Sequence, residues 1–200
     1  MSDHSHGPEA AFRRWGYAAE REAQRSNRAV ADMFPDVKAP AELEDGDQRY
    51  TTRETAAWCL KRTGIDAFDL DVAACEESHL APVWYSKAAD GLMQPWHGRV
   101  WCNPPFSDIG PWVEKAWSEV VRCESISMLL PASRTEQTWW QQLVEPLRDN
   151  PSLDYDQSIF LRTHFLPGRT RFGHPGNPEG VGVGSPPFGC VLLVFKRSNP

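Results

Sequence analysis

Asn103, Pro104, Pro105 and Phe106 stand in a row, and their types suit chemistry better than any other stretch of this 200-residue chain. Asn103 offers a carboxamide, Pro104 a carbonyl followed by a residue with no N–H, and Phe106 a flat ring. Neither proline can donate to a sheet ladder, so the apolar run Val100-Trp101-Cys102 is expected to be a buried strand that stops at Asn103. Ile109–Val121, beyond the corner, reads as a helix. That passage puts Asn103 at the carboxyl edge of a sheet, where open α/β folds bind ligands. A polar corner beside an aromatic face suits a planar nitrogen nucleophile such as a nucleobase amino group.

The elements that must position this corner follow from local pattern. Thr51 or Thr52 caps a helix running through Leu60, with Glu54 in its first turn, and Gly64 stops it. Ala67–Ala74 alternates apolar and acidic residues like a strand ending in a loop, which places Asp71 at a second carboxyl edge. Asp90-Gly91 is a turn, and Pro95–Gly98 leads into the strand before Asn103. Downstream, Ser125–Leu130 is an apolar strand ended by Pro131, and Thr135–Leu147 a helix with Trp139 and Trp140 on different sides. Ser158–Leu166 reads as a strand, Gly173–Pro187 as a Gly/Pro-rich loop, and Cys190–Phe195 as a fully apolar strand. Strands alternating with helices before a closing strand pair predict an α/β domain with a mixed sheet.

Residues 1–48 are expected to be a polar extension, with a helix over Ala10–Met33 and an acidic linker over Pro40–Asp47, and residues 49–200 the catalytic domain. The net charge of −6 argues against a generic nucleic-acid binder. Its distribution is uneven: residues 1–48 carry ten acids and six bases, whereas from Asp156 onward two acids face five bases. Within that basic part Arg169 and Arg171 lie two apart on an extended segment and point to one side, suited to phosphate contact or to structural pairing. Five cysteines without a C-x-x-C pair indicate neither a disulfide framework nor a common zinc site. The histidines have no ligand-like spacing. No metal and no membrane partner are therefore expected, and no apolar run suits a span or a signal peptide. A reducing cytoplasm is the expected compartment.

Several stretches occur in a telling order: Tyr50-Thr51, Asp69–Ala74, Asp90-Gly91-Leu92, Trp96, Gly98–Phe106, Trp112–Lys115, Leu129–Ala132, Gly168–Phe172 and Pro187-Phe188. This set resembles the small phage-type, Dam-like DNA N6-adenine methyltransferases over about residues 50 to 195. The resemblance implies the class I S-adenosylmethionine-dependent methyltransferase fold, a Rossmann-like three-layer structure around a mixed, mostly parallel seven-stranded sheet. It implies double-stranded DNA as partner, S-adenosylmethionine as cofactor and the host cytoplasm as location.

Carried over by position, Asn103 and the Pro104 carbonyl accept hydrogen bonds from the adenine amino group, Pro105 rigidifies the corner, and Phe106 stacks on a base that has left the duplex. Thr51, Asp71, Ala73 and Asp90 fall on the cofactor side, and Arg169 and Arg171 on the DNA side. The family commonly has proline where this chain has Thr52 and Val72, which leaves the capping hydroxyl open between Thr51 and Thr52. The same tetrad in principle serves N4 of cytosine or a protein glutamine. A non-catalytic DNA-binding protein on a decayed fold is a further alternative. A second tetrad, Ser185–Phe188, resembles that of amino-cytosine enzymes but precedes a strand, and reads as the turn into Cys190–Phe195.

Overall fold

The computed structural model describes residues 47–150, 159–182 and 188–197; the expected Ala10–Met33 helix and most of the acidic linker lie outside them. Six strands form the main sheet: β2 (Leu70–Asp71), β3 (Val83–Trp84), β4 (Gly98–Cys102), β5 (Cys123–Pro131), β6 (Ile159–Phe165) and β8 (Cys190–Arg197), in the spatial order β3-β2-β4-β5-β8-β6. The pairs β3/β2, β2/β4 and β4/β5 are parallel, and β8 runs antiparallel between β5 and β6. The sheet is thus mixed and mostly parallel, with six strands among the described residues where seven were expected. A separate antiparallel pair joins β1 (Tyr50–Thr51) to β7 (Phe172–Gly173).

Period-2 alternation builds the layers. Val100 and Cys102 of β4, Met128 and Leu130 of β5, and Val191, Leu193 and Phe195 of β8 bury one face. Against it pack α2 (Gly110–Glu119), through Trp112, Val113 and Ala116, and α3 (Thr138–Leu143), through Trp139 and Trp140. Trp101, Leu129, Leu192 and Val194 point to the other face, where Cys59 of α1 (Arg53–Thr63), Phe68, Phe106 and Phe172 cover them. Trp139 and Trp140 are core residues at 76° to each other.

The helix boundaries are shorter than the sequence suggests, for local reasons. Pro111 starts α2 in its first turn, and the chain tightens to a 3-10 turn over Val120–Arg122 before β5. Only Thr138–Leu143 of the expected Thr135–Leu147 helix is α-helical, although turns continue beyond it. Of Ala67–Ala74, only Leu70–Asp71 is strand.

The order of the strands positions the site. From β2 the chain leaves toward β3 on one side, then crosses back to β4 on the other, so the carboxyl ends of β2 and β4 flank a topological switch point. Asp71 pairs with Trp101 across that gap, and Asn103 follows Cys102 directly.

Candidate active site

The corner after β4 is held by a segment from the start of the described chain. The Asn103 carboxamide donates through Nδ2 to the carbonyl of Arg49 at 2.5 Å, across 54 residues of sequence. The donor side of the amide is thereby fixed, and Oδ1 is buried with no hydrogen-bond partner. A buried acceptor without a donor is costly, and one at the carboxyl edge of a sheet reads as a place for a ligand N–H. Next to it the Pro104 carbonyl accepts no backbone hydrogen bond from another described residue. Asp47 completes the strap by accepting from the Ser107 N–H at 3.2 Å, while the Arg49 guanidinium approaches Asp47 at 3.5 Å.

Phe106 is 3% exposed. Phe172 and Phe188 meet it at steep angles, with centroids 5.8 and 6.1 Å away, and the Arg49 guanidinium lies over the ring at 5.1 Å. The ring therefore sits in an aromatic nest, and in this structure a cation covers it. The end of the second proline tetrad, Phe188, belongs to that nest, and Cys190 opens β8 as the sequence suggests; Ser185 to Pro187 lie outside the described residues.

Thr52, not Thr51, caps α1: its hydroxyl accepts from the Thr55 N–H at 3.3 Å. This settles the capping question and leaves the Thr51 hydroxyl buried without a partner. Thr51 enters the site region through β1, two residues beyond the carbonyl that orients Asn103, and pairs with Phe172.

Asp71 is buried, and both its oxygens are used. One accepts from the Ala73 N–H at 3.3 Å and the other from the Leu80 N–H at 3.0 Å, so the carboxylate folds the loop after β2. Burial pushes its pKa up to about 6, against the opposing pull of those N–H donors. The Cys102 thiol close by is also pushed up by burial and by the Asp71 charge, which leaves it protonated and unsuited to act as a nucleophile.

Asp90 adopts a left-handed φ of 54° and caps its own turn by accepting from the Leu92 N–H. The turn presses on the β2 loop: a Cβ on Gly91 would stand 2.0 Å from the Val72 carbonyl oxygen. Trp96 pins the turn from below by donating to the Gly91 carbonyl at 2.8 Å, and Glu119 of α2 accepts from the Trp96 N–H. Asp71, Ala73 and Asp90 thus belong to two interlocked loops, the one that follows β2 and the connection from β3 to β4.

Asp69 is structural. It accepts from Arg99 through Nε at 2.9 Å and Nη2 at 2.7 Å, which holds its carboxyl down at about 2. Arg169 and Arg171 are both exposed and alternate with buried Thr170 and Phe172, so they project to the same outer side, as expected of an extended segment.

Sequence reasoning missed Arg49, Asp47, Glu119 and the partners of Phe106. Their pairings span long stretches of chain and carry no periodic signal; only the position of Arg49, just before Tyr50-Thr51, hinted at proximity to the site. Among the described residues no three His, Cys, Asp or Glu side chains form a metal-binding cluster, and no helix is long and apolar enough to cross a membrane.

Comparison with known proteins matches residues 39–171 to the family model described as DNA N-6-adenine-methyltransferase (Dam). A curated relative, the DNA N-6-adenine-methyltransferase of Escherichia phage T1, is 32% identical over 141 residues, 65% of this chain. The match spans 58% of that relative's length. Among solved structures, a Pyrococcus horikoshii protein provisionally named an RNA methyltransferase aligns over 86% of this chain and 98% of its own, with a TM-score of 0.44 and 11% identity.

Proposed function

Because the chain belongs to the DNA N-6-adenine-methyltransferase (Dam) family, we propose that it transfers a methyl group from S-adenosylmethionine to N6 of adenine in double-stranded DNA. One observation carries the reading: the Asn103 carboxamide is oriented by the Arg49 carbonyl, and its buried oxygen has no partner at the switch point of the sheet.

The amino nitrogen of adenine is a poor nucleophile because its lone pair is delocalised into the ring. Asn103 Oδ1 and the Pro104 carbonyl accept from its two hydrogens, which pulls electron density back onto nitrogen. The same oxygens stabilise the positive charge that grows on nitrogen as the N–C bond forms, and being held in place they need no reorganisation. Pro105 keeps the backbone at the corner rigid and, having no N–H, leaves the preceding acceptors uncontested. Phe106 stacks on the flipped base and fixes its plane for in-line transfer.

The residues on the donor side suit the cofactor. The free Thr51 hydroxyl is a buried hydrogen-bonding group of the kind that the amino-acid end of S-adenosylmethionine requires. Asp71 acts by shaping the loop that carries Ala73, and the Asp90 turn borders that loop on the adenosine side. Bound there, the cofactor supplies a methyl already activated on a sulfonium, so the transfer needs neither a metal nor a covalent enzyme intermediate. Arg169 and Arg171 present charge to the phosphates. The host cytoplasm is the compartment that this substrate implies.

The test is to incubate the purified protein with unmethylated duplexes of mixed sequence and labelled S-adenosylmethionine, then digest to nucleosides. Label in N6-methyldeoxyadenosine is the expected outcome. Label in N4-methyldeoxycytidine would reassign the acceptor, and no label across the panel would overturn the reading.

A further inference from the structure

The neighbours of Phe106 differ in what they can do. Phe172 is itself buried and pinned by the β1/β7 pair, and Phe188 sits directly before β8. Arg49, by contrast, is a long polar side chain with 29% of its surface exposed. Its only ion pair among the described residues is a 3.5 Å contact with Asp47, a weak tether in partly solvated surroundings. The guanidinium is planar and delocalised and stacks on aromatic faces. Its backbone, however, is fixed, because the Arg49 carbonyl holds the Asn103 amide and its N–H donates to Asp47.

We propose that the Arg49 side chain competes with the acceptor base for the face of Phe106, acting as a placeholder that the base displaces while the Arg49 carbonyl stays on Asn103. This deepens the methyl-transfer reading and rests on it. The backbone and side chain of one residue then have separate roles: the carbonyl is a permanent part of the acceptor geometry, and the guanidinium is a removable cover. A cover of this kind lowers apparent affinity for the base by the fraction of time it occupies the ring, and a cation–π contact at a part-exposed site corresponds to about two- to fivefold. It also keeps an aromatic nest and an unpartnered acceptor from taking up other planar molecules.

The experiment compares binding of two labelled single-stranded oligonucleotides by fluorescence polarisation, with a non-reactive S-adenosylmethionine analogue present. Both have degenerate flanks without adenine; one carries a single central adenine and the other an abasic site there. The ratio of the two dissociation constants, measured on one preparation, isolates the base pocket from backbone contacts and cancels any unfolded fraction. Wild-type protein should prefer the adenine strand. Arg49→Ala and Arg49→Met, the second keeping most of the side-chain bulk, should each raise that preference about two- to fivefold. In a Phe106→Leu background the same substitutions should leave the ratio where it is.

An unchanged or lowered preference in both Arg49 variants would overturn the inference. So would a rise that persists without Phe106. A wild-type protein that does not distinguish adenine from the abasic strand would instead remove the acceptor-pocket reading on which the inference stands.

Discussion

Asp69 and Asp71 stand two residues apart at β2, yet their carboxyl groups are driven in opposite directions. Arg99 holds Asp69 down at about 2 with a two-pronged hydrogen bond, and burial pushes Asp71 up to about 6. The first is a surface brace between β2 and β4. The second is an interior group that shapes a loop.

The pH dependence of stability separates them. A raised carboxyl pKa means that the folded state binds a proton more tightly than the unfolded chain does. The Asp71 contribution is therefore fully present below about pH 4 and is lost as pH rises through about 6. A shift from 3.8 to about 6 corresponds to at most about 3 kcal/mol. Urea unfolding of wild type and Asp71→Asn across pH 4 to 8 should show wild type losing stability relative to the variant over that window. Asp69 has the opposite sign: its contribution is present above about pH 4 and is lost as pH falls toward 2. With its side chain 40% exposed, it should amount to less than about 1 kcal/mol after screening, read as the difference between wild type and Asp69→Asn.

Asn103→Ala should lower kcat for methyl transfer by about a hundredfold or more, the scale seen when a preorganised hydrogen-bonding partner of the transition state is removed. Calorimetry should find cofactor affinity changed by no more than a few fold. Asn103→Asp keeps an acceptor but cannot donate to the Arg49 carbonyl, so it should recover only part of the rate. Loss of cofactor binding in a folded Asn103→Ala protein would move this residue to the donor side.

Gly91→Ala forces a methyl group onto the Val72 carbonyl, where the β3–β4 connection meets the loop after β2, the loops proposed to hold the cofactor. Overpacking against backbone should destabilise the fold by about 1–3 kcal/mol, seen in the urea midpoint. Cofactor affinity should fall with it, because the displaced neighbour belongs to the loop that Asp71 folds. A Gly91→Ala protein with unchanged midpoint and affinity would show that the loops are not interlocked in solution.

Arg169 and Arg171 are exposed side by side, so charge removal there should be felt as counterion release. The slope of log K against log salt for duplex binding should become shallower by about one for each arginine that touches phosphate. Arg169→Ala/Arg171→Ala with an unaltered slope would place both off the DNA path.

Sequence alone determined the parts of this protein that follow from covalent chemistry and local periodicity. Two prolines end β4 wherever the chain is placed, so the Asn103 corner was legible, as were the apolar runs that become β5 and β8 and the turn at Asp90-Gly91. Tertiary structure decided the rest. It gave the helix cap to Thr52 and left the Thr51 hydroxyl free. It folded a loop around Asp71, seated Arg49 over Phe106, and brought Phe188 from the far end of the chain into the same nest. The physical reason is range: local rules act over a turn or a pleat, whereas the bond that orients Asn103 joins groups 54 residues apart. Such a bond exists only after the sheet has ordered its strands and packing has fixed which backbone lies across the corner.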